Sequence, residues 1–480
     1  MQKVSDRALS QATEWLPSHH SHASGHISVW ELIFIGVGGI IGAGFFLGSG
    51  QPIRAAGPSV LLAFLLGALV TTQTLGAVTS ITANHPVQGS FTAFADMYLG
   101  RFTGFLQGWT YYVTSVLTIA SEAVAMSVFA KLWIPHIPGW ILTSVFILVV
   151  LVINAFGVKN FGRVESFMSA VKMAALVGFI VYAALFLFGV TGRGAEPLAG
   201  FTGLRVGFFP HGVTGFAQSM LIVIFAYAGI GVFATAVTKV KNPQSMDRGA
   251  WWTIILLTAM YVISVGLLLC IEPWQRMSTK TSPFVVGFGH MGLPVFGQIF
   301  NAVILVASFS VMAGAIFSAN QILISLAHAR VAPRFATRRK GNRQYGALVI
   351  TTVCLAAVVN LSYILPSNVY SFLISASSFF TFMTWFVILW TFLVWRKKTT
   401  GDDQFVSTLA FGQPWMTIVT MVFIVILAGY ALTDKDQRLG FYTCLAVWAL
   451  LCAVYALFLR GKATHVEFNS EGQSPDRTNR

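Results

Sequence analysis

The feature that most constrains this chain is a succession of about twelve apolar stretches, each near the ~20 residues that a helix needs to cross a bilayer. Of its 480 residues, 56% are hydrophobic and only 10% are charged, whereas about a quarter are charged in soluble domains. Membrane β-barrels instead show alternating segments of about ten residues. The pattern predicts an all-α integral membrane protein with spans at 29–50, 58–80, 102–131, 138–157, 164–190, 213–238, 250–272, 295–328, 346–364, 368–395, 411–433 and 440–460.

Lysine and arginine are distributed unevenly between alternate loops. If the N-terminus lies inside, the inner segments hold 21 of these residues and the outer loops hold 8, while Lys172 lies within a span. Because inner loops are enriched in Lys and Arg, this count predicts polar cytoplasmic tails at 1–28 and 461–480. The net charge of +14 follows from the same bias, and without a basic stripe bearing interleaved aromatics we expect no nucleic-acid partner.

Glycine clusters interrupt two of the apolar stretches. Seven glycines fall within residues 36–50 of the first span, and Gly229 and Gly231 lie at mid-depth of the sixth. Each glycine costs ~1 kcal/mol in a helix relative to alanine, so the clusters serve either close helix packing or a helix break at a binding site. Paired Gly-interrupted spans are typical of transporter sites, where free N–H groups suit a carboxylate and free carbonyls suit an ammonium. They favour a zwitterionic amino acid as ligand.

Sequence motifs along most of the chain point the same way. The sequence resembles the amino acid–polyamine–organocation superfamily, and within it the bacterial amino acid permeases, at 39–47, 104–109, 133–135, 153–158, 241–243 and Glu122. The resemblance covers nearly the whole chain. It implies the leucine-transporter fold, with an inverted five-plus-five helix repeat and two additional C-terminal helices. The transport core would be 29–395, with repeats at 29–190 and 213–395, and the additional helices with their preceding loop would be 396–460.

The resemblance also implies which residues bind the substrate. Backbone N–H groups of the first span would receive its carboxylate: Gly42, Ala43 and Gly44. Backbone carbonyls of both interrupted spans would take its α-amine: Ile40, Phe225, Ala226 and Ala228. Phe225 also matches an aromatic gate position. Gly231 is also assigned to the substrate site. Many relatives have a glutamate there, and loss of that acid near the pocket favours a neutral substrate.

Two charged residues inside spans are candidates for coupling. Lys172 lies at mid-depth of the fifth span, where a charge costs ~2.5–3.5 kcal/mol, and snorkelling to the inner surface would be strained. Proton- or exchange-driven relatives resemble this chain in having a lysine there, where sodium-coupled relatives bind a cation. Glu122, in the third span, is the only acid that we place in the interior of an early helix. It is either a proton relay or a structural hydrogen-bond partner.

These features predict a secondary active transporter for neutral amino acids, proton-coupled or exchanging, in the inner cell membrane. Its partners would be an amino acid, protons and the lipid bilayer, with no cofactor. The alternative is an amino acid sensor or a germinant-receptor-like subunit that binds without transport, which an uptake assay would separate. The histidines within spans or short loops are scattered and have no acid at metal or catalytic-triad spacing. We therefore predict neither an enzyme nor a metal site.

Overall fold

The computed structural model describes residues 27–87, 89–156, 161–191, 207–238, 240, 242–277, 280–339, 344–364, 369–399 and 404–459. The predicted polar tails lie almost wholly outside these residues. Within them every regular element is helical, and no β-strand occurs. Seven helical stretches are long and apolar enough to cross a membrane, and five shorter apolar helices accompany them. The prediction of an all-helical membrane protein is therefore confirmed.

The helices follow the twelve predicted spans in order. They are α1 (Val29–Ile40), α2 (Ala43–Phe46), α3 (Gly50–Ala56), α4 (Val60–Asn84), α5 (Phe91–Leu99), α6 (Arg101–Ala130), α7 (Gly139–Phe156), α8 (Phe161–Leu187), α9 (Gly212–Phe225), α10 (Ile230–Val237), α11 (Pro243–Ile271), α12 (Pro283–His290), α13 (Pro294–His328), α14 (Tyr345–Ile364), α15 (Val369–Lys398), α16 (Trp415–Ala431) and α17 (Lys435–Val454). Short 3₁₀ turns lie at Gly57–Ser59, Trp274–Arg276 and Arg334–Thr337. A π-helical turn, Tyr455–Leu459, follows α17.

The first and sixth spans are each divided. Ser28 and Glu31 form a capping box that starts α1, which satisfies N–H groups left free at a helix start. The helix ends at Ile40, and α2 begins at Ala43 after two intervening residues, the second of which, Gly42, has an extended backbone. The sixth span ends its first helix, α9, at Phe225 and resumes at α10 after a four-residue turn. Both divisions fall inside apolar stretches.

Helices α6, α13 and α15 form the interior of the bundle. In the most apolar 18-residue stretches of α6 and α15, 83% and 89% of the residues are buried. In the corresponding stretch of the last span, only 6% of the residues are buried. Helix α6 packs along both α13 and α15. A helix covered on all sides is a core helix, so the polar residues of α6 must find their partners inside the protein. Glu122 is one of them.

The segment 404–414 before α16 is not helical and lies alongside α4. Three α4 side chains form hydrogen bonds with its backbone: Asn84 with Phe405, Ser80 with Ser407 and Gln73 with Leu409. Eleven residues separate Gln73 from Asn84, which is about 16 Å of helix. Irregular backbone at membrane depth requires such partners. The predicted span at 411–433 is therefore too long at its start, since α16 begins at Trp415.

Candidate functional site

The break in the first span presents backbone N–H groups to a carboxylate of the protein itself. The N–H groups of Ala43 and Gly44 donate to the two oxygens of Glu122, at 3.0 and 3.4 Å. Glu122 projects from α6 and is 2% exposed. A buried carboxylate needs such donors, because burial without hydrogen bonds is costly. The N–H groups that the resemblance assigns to a substrate carboxylate thus already bind one.

The carbonyl groups assigned to the α-amine are partly engaged within the protein. The hydroxyl of Tyr261 donates to the carbonyl of Ala226 at 3.0 Å. The carbonyl of Phe225 accepts from the N–H of Ala228 at 2.9 Å, inside the turn between α9 and α10. Each carbonyl oxygen has a second lone pair, so these bonds do not exhaust its accepting capacity. Ile40, the last residue of α1, is buried beside the break.

The two broken spans touch each other where they are interrupted. A Cβ atom on Gly229 would lie 2.4 Å from the carbonyl oxygen of Gly39, and a Cβ atom on Gly44 would lie 2.8 Å from the ring of Phe225. Real Cβ atoms do not approach so closely, so glycine is needed at both positions. Phe225 is 6% exposed and lies against Gly44. The structure therefore brings Gly44 and Phe225 into direct contact.

Gly231 lies against Tyr111 of α6. A Cβ atom on Gly231 would lie 1.8 Å from the hydroxyl of Tyr111, so the tyrosine occupies the space that a longer side chain would need. Gly231 and Ala228 also line a cavity of about 10 Å³, enough for one water molecule. The cavity is lined by uncharged residues: Phe91, Tyr111, Thr114, Ala228, Gly231, Thr381, Thr384, Trp385 and Ile388.

Lys172 is fully buried on α8 and its ammonium has specific partners. Its Nζ donates to the carbonyl of Gly38 at 2.5 Å and to the hydroxyl of Ser310 at 2.9 Å. The carboxylate of Glu165 lies 3.9 Å from the same nitrogen. Lys172 therefore connects α1, α8 and α13 immediately before the break in the first span, and its side chain does not reach the surface of the protein.

Three polar residues of this region were missed from the sequence. Glu165 lies seven positions before Lys172 and thus on the same helix face, a spacing that could have identified it. It is 2% exposed, so Glu122 is not the only buried acid of the early spans. Ser310 donates to Glu165 at 2.6 Å, and Tyr370 of α15 donates to the carbonyl of Ala43 at 2.8 Å. Neither of these two has a distinguishing local pattern.

Known proteins resemble this chain along most of its length. The family profile "Amino acid permease" matches residues 31–468. The γ-aminobutyric acid permease of Bacillus subtilis is 30% identical over 85% of this chain and 88% of its own length. The aromatic amino acid transport protein AroP of Escherichia coli is 28% identical over 90% of this chain and 95% of its own length.

A solved structure shows the same fold at low sequence identity. The manganese transporter of Eremococcus coleocola superimposes with a TM-score of 0.56 and 12% identity, over 89% of this chain and 93% of that protein. It shares the leucine-transporter fold, so the predicted fold class is confirmed. The family comprises transporters rather than enzymes, as predicted. From its profile match and its relatives, this chain belongs to the amino acid permease family.

Proposed function

We propose that this protein is a secondary active transporter of neutral amino acids, which it binds between the interrupted first and sixth spans. The substrate carboxylate would accept from the N–H groups of the first break: Gly42, Ala43 and Gly44. The carbonyls of Ile40, Phe225, Ala226 and Ala228 would take the α-amine. One observation carries this assignment: two of these N–H groups already bind the carboxylate of Glu122. They therefore have the direction and spacing that a carboxylate requires.

Glu122 competes with the substrate for the same N–H groups. Two carboxylates at one site repel each other, so one must be protonated or move away. A protonated Glu122 is a weaker acceptor for an N–H donor, because charge-assisted hydrogen bonds are the stronger ones. Proton binding at Glu122 would thus free Ala43 and Gly44 for the substrate. This competition links substrate binding to proton binding.

The surroundings of the site favour a neutral substrate. The residues lining the small cavity at Ala228 and Gly231 carry no charge, so a charged substrate side chain would find no partner among them. The two relatives named above transport γ-aminobutyric acid and aromatic amino acids by their names, and both kinds of molecule are net-neutral zwitterions. An uncharged lining that includes three aromatic side chains matches a neutral side chain.

Lys172 would couple this binding site to protons. Its ammonium donates to the carbonyl of Gly38, four residues before the first substrate N–H group. A positive charge there takes the role that a bound cation has in sodium-coupled relatives. Loss of its proton would weaken the contact between α1 and α8 and so favour movement of α1. We place the protein in the inner cell membrane with both termini cytoplasmic.

The test is uptake by purified protein in proteoliposomes. An equimolar mixture of radiolabelled alanine, phenylalanine and γ-aminobutyrate is added with and without an imposed inward proton gradient. We expect accumulation that depends on the gradient, and we expect Glu122→Gln to bind substrate with little dependence on pH. Lys172→Ala should not accumulate substrate. Binding of amino acids by wild-type protein without any uptake would instead indicate the sensor function.

A further inference from the structure

Glu165, Ser310 and Lys172 form a continuous chain of hydrogen bonds. The Oγ of Ser310 lies 2.6 and 2.7 Å from the two oxygens of Glu165, and the Nζ of Lys172 lies 2.9 Å from the same Oγ. A serine hydroxyl has one proton to donate and two lone pairs to accept with. The Lys172 ammonium can only donate and the Glu165 carboxylate can only accept. Ser310 therefore accepts from Lys172 and donates to Glu165. The chain therefore has one direction, from amine to carboxylate.

Glu165 lies between Lys172 and one end of α8. Seven residues separate them, which is about 10 Å of helix, and Glu165 is the nearer to the N-terminal end. The distribution of Lys and Arg predicts that this end faces the cytoplasm. Glu165 is nevertheless buried, because α1 covers it: a Cβ atom on Gly38 would lie 3.0 Å from its Oε1. Movement of α1 away from α8 would expose the carboxylate.

We propose that Glu165 receives the proton that Lys172 releases, by way of Ser310, and passes it to the cytoplasm when α1 moves away. This inference rests on the coupling role proposed above for Lys172. In the transfer, an N–H bond of Lys172 breaks as an O–H bond forms on Ser310, and the original Ser310 proton passes to Glu165. A neutral amine and a neutral carboxylic acid result, with no co-reactant.

The charges around the chain are compatible with this step. Glu165 and Glu122 are the two carboxylates whose charges act on Lys172 within the described residues. Gly38 of α1 and Ser310 of α13 bring no charge to it. A proton transferred within the Lys172–Glu165 pair removes two opposite charges together, so the buried cluster keeps its net charge. Transfer therefore avoids the large cost of leaving one buried charge alone.

The experiment compares two kinds of transport in the same proteoliposomes, with the equimolar mixture of radiolabelled alanine, phenylalanine and γ-aminobutyrate as probe. Glu165→Gln keeps the side-chain shape but cannot accept a proton. We expect accumulation driven by a proton gradient to fall by about a hundredfold, the usual worth of a proton-transfer group. Exchange of labelled for unlabelled substrate without a gradient should change little. Ser310→Ala should behave in the same way.

Ser169→Ala is the matched control. Ser169 is a buried hydroxyl on α8 that donates to the backbone of Glu165 and lies outside the proton path. It should retain both kinds of transport. Glu165→Asp, which keeps the carboxylate, should recover part of the accumulation that Glu165→Gln loses.

Folding is checked by thermal unfolding in detergent. Lys172→Met leaves the buried Glu165 carboxylate without its positively charged partner and should lower the unfolding temperature midpoint. The double variant Lys172→Met with Glu165→Gln should recover most of that loss. Accumulation by Glu165→Gln at the wild-type level, or equal loss of exchange and accumulation in a folded variant, would overturn the inference. Absence of uptake by the wild type would instead refute the proposed function.

Discussion

At the residue scale, two buried charged residues of this protein are held by backbone groups of the glycine-rich first span. Glu122 accepts from the N–H groups of Ala43 and Gly44, and Lys172 donates to the carbonyl of Gly38. A charge inside a membrane protein needs polar partners, and an interrupted helix supplies both kinds. The glycine-rich stretch thus serves two charged residues of opposite sign within seven positions. Sequence identified both residues but not the partners.

His85 gives the stability of the protein a predicted pH dependence. It follows α4 outside the span, and burial lowers the pKa of His85 from its ordinary value of 6.5. Below about pH 6.5 the unfolded chain therefore binds a proton that the folded His85 does not, and stability decreases as pH falls. Above that pH neither state binds the proton, and His85 no longer lowers the free energy of unfolding.

The measurement is the thermal unfolding midpoint in detergent between about pH 7.5 and about pH 5.5, the range in which histidine titrates. We expect the midpoint to fall with pH, and His85→Gln to lessen that fall. His136→Gln, at an exposed loop position, serves as the control and should keep the wild-type slope. An unchanged slope in His85→Gln would contradict the prediction.

At the element scale, the interruptions of α1–α2 and α9–α10 are positioned by contact between the two spans. Gly229 lies against the carbonyl of Gly39, and Gly44 lies against Phe225. A second irregular element, the segment 404–414, depends on partners from two spans: α4 side chains hold its backbone, and the carboxylate of Asp247 on α11 accepts from Ser407 and Thr408. Each irregular stretch in the bundle therefore has identifiable polar partners, as membrane burial demands.

Substitution of Gly229 should disrupt the contact between the broken spans. In Gly229→Ala the new Cβ would meet backbone 2.4 Å away, and backbone cannot rotate aside as a side chain can. We expect a loss of about 1–3 kcal/mol, as for other overpacked positions, together with reduced uptake. The readouts are the thermal unfolding midpoint in detergent and the proteoliposome assay.

Gly178→Ala on α8 is the matched control. No atom lies within 4 Å of the Cβ that it would add, so alanine should be neutral there or stabilise the helix by about 0.5–1 kcal/mol. Equal effects of the two substitutions would show that general helix propensity, and not contact between the spans, decides the result.

At the scale of the whole molecule, the helices of the bundle differ in how far other helices bury them. Helices α6 and α15 are covered by other helices, whereas only 6% of the residues in the most apolar stretch of the last span are buried. The covered helices contain buried polar side chains, among them Gln107, Thr114 and Ser377. Helices exposed to lipid need no such residues. The interior of the bundle thus holds these buried polar groups, and it is where we propose that the substrate binds.

The orientation of the whole chain is a prediction of the Lys and Arg count. His136 in the α6–α7 loop and Arg338 after α13 are both exposed, and the count places them on opposite sides of the membrane. In intact cells a membrane-impermeant maleimide should label His136→Cys, and it should label Arg338→Cys only after permeabilisation. The native chain, whose four cysteines are free, measures the background. The reverse pattern would invert the topology.

Much of the architecture was predictable because it is local in the chain. The eighth span was predicted at 295–328 and lies at Pro294–His328, since a long apolar stretch has few alternatives in a membrane. The start of the eleventh span was wrong because Phe411 and its neighbours are largely apolar yet not helical. Their backbone finds partners on α4, which is more than 300 residues earlier. Apolar composition alone does not reveal such distant partners.

The sequence by itself determined that this is a helical membrane protein, and it identified two of the buried charged residues, Glu122 and Lys172. Those properties follow from the length of apolar stretches and the cost of charge in lipid. Only the tertiary structure decided which groups those charges meet. Glu122 binds an N–H group 79 positions away, and Lys172 binds a hydroxyl 138 positions away. Hydrogen bonds act over about 3 Å, so helix packing, and not sequence proximity, selects these partners.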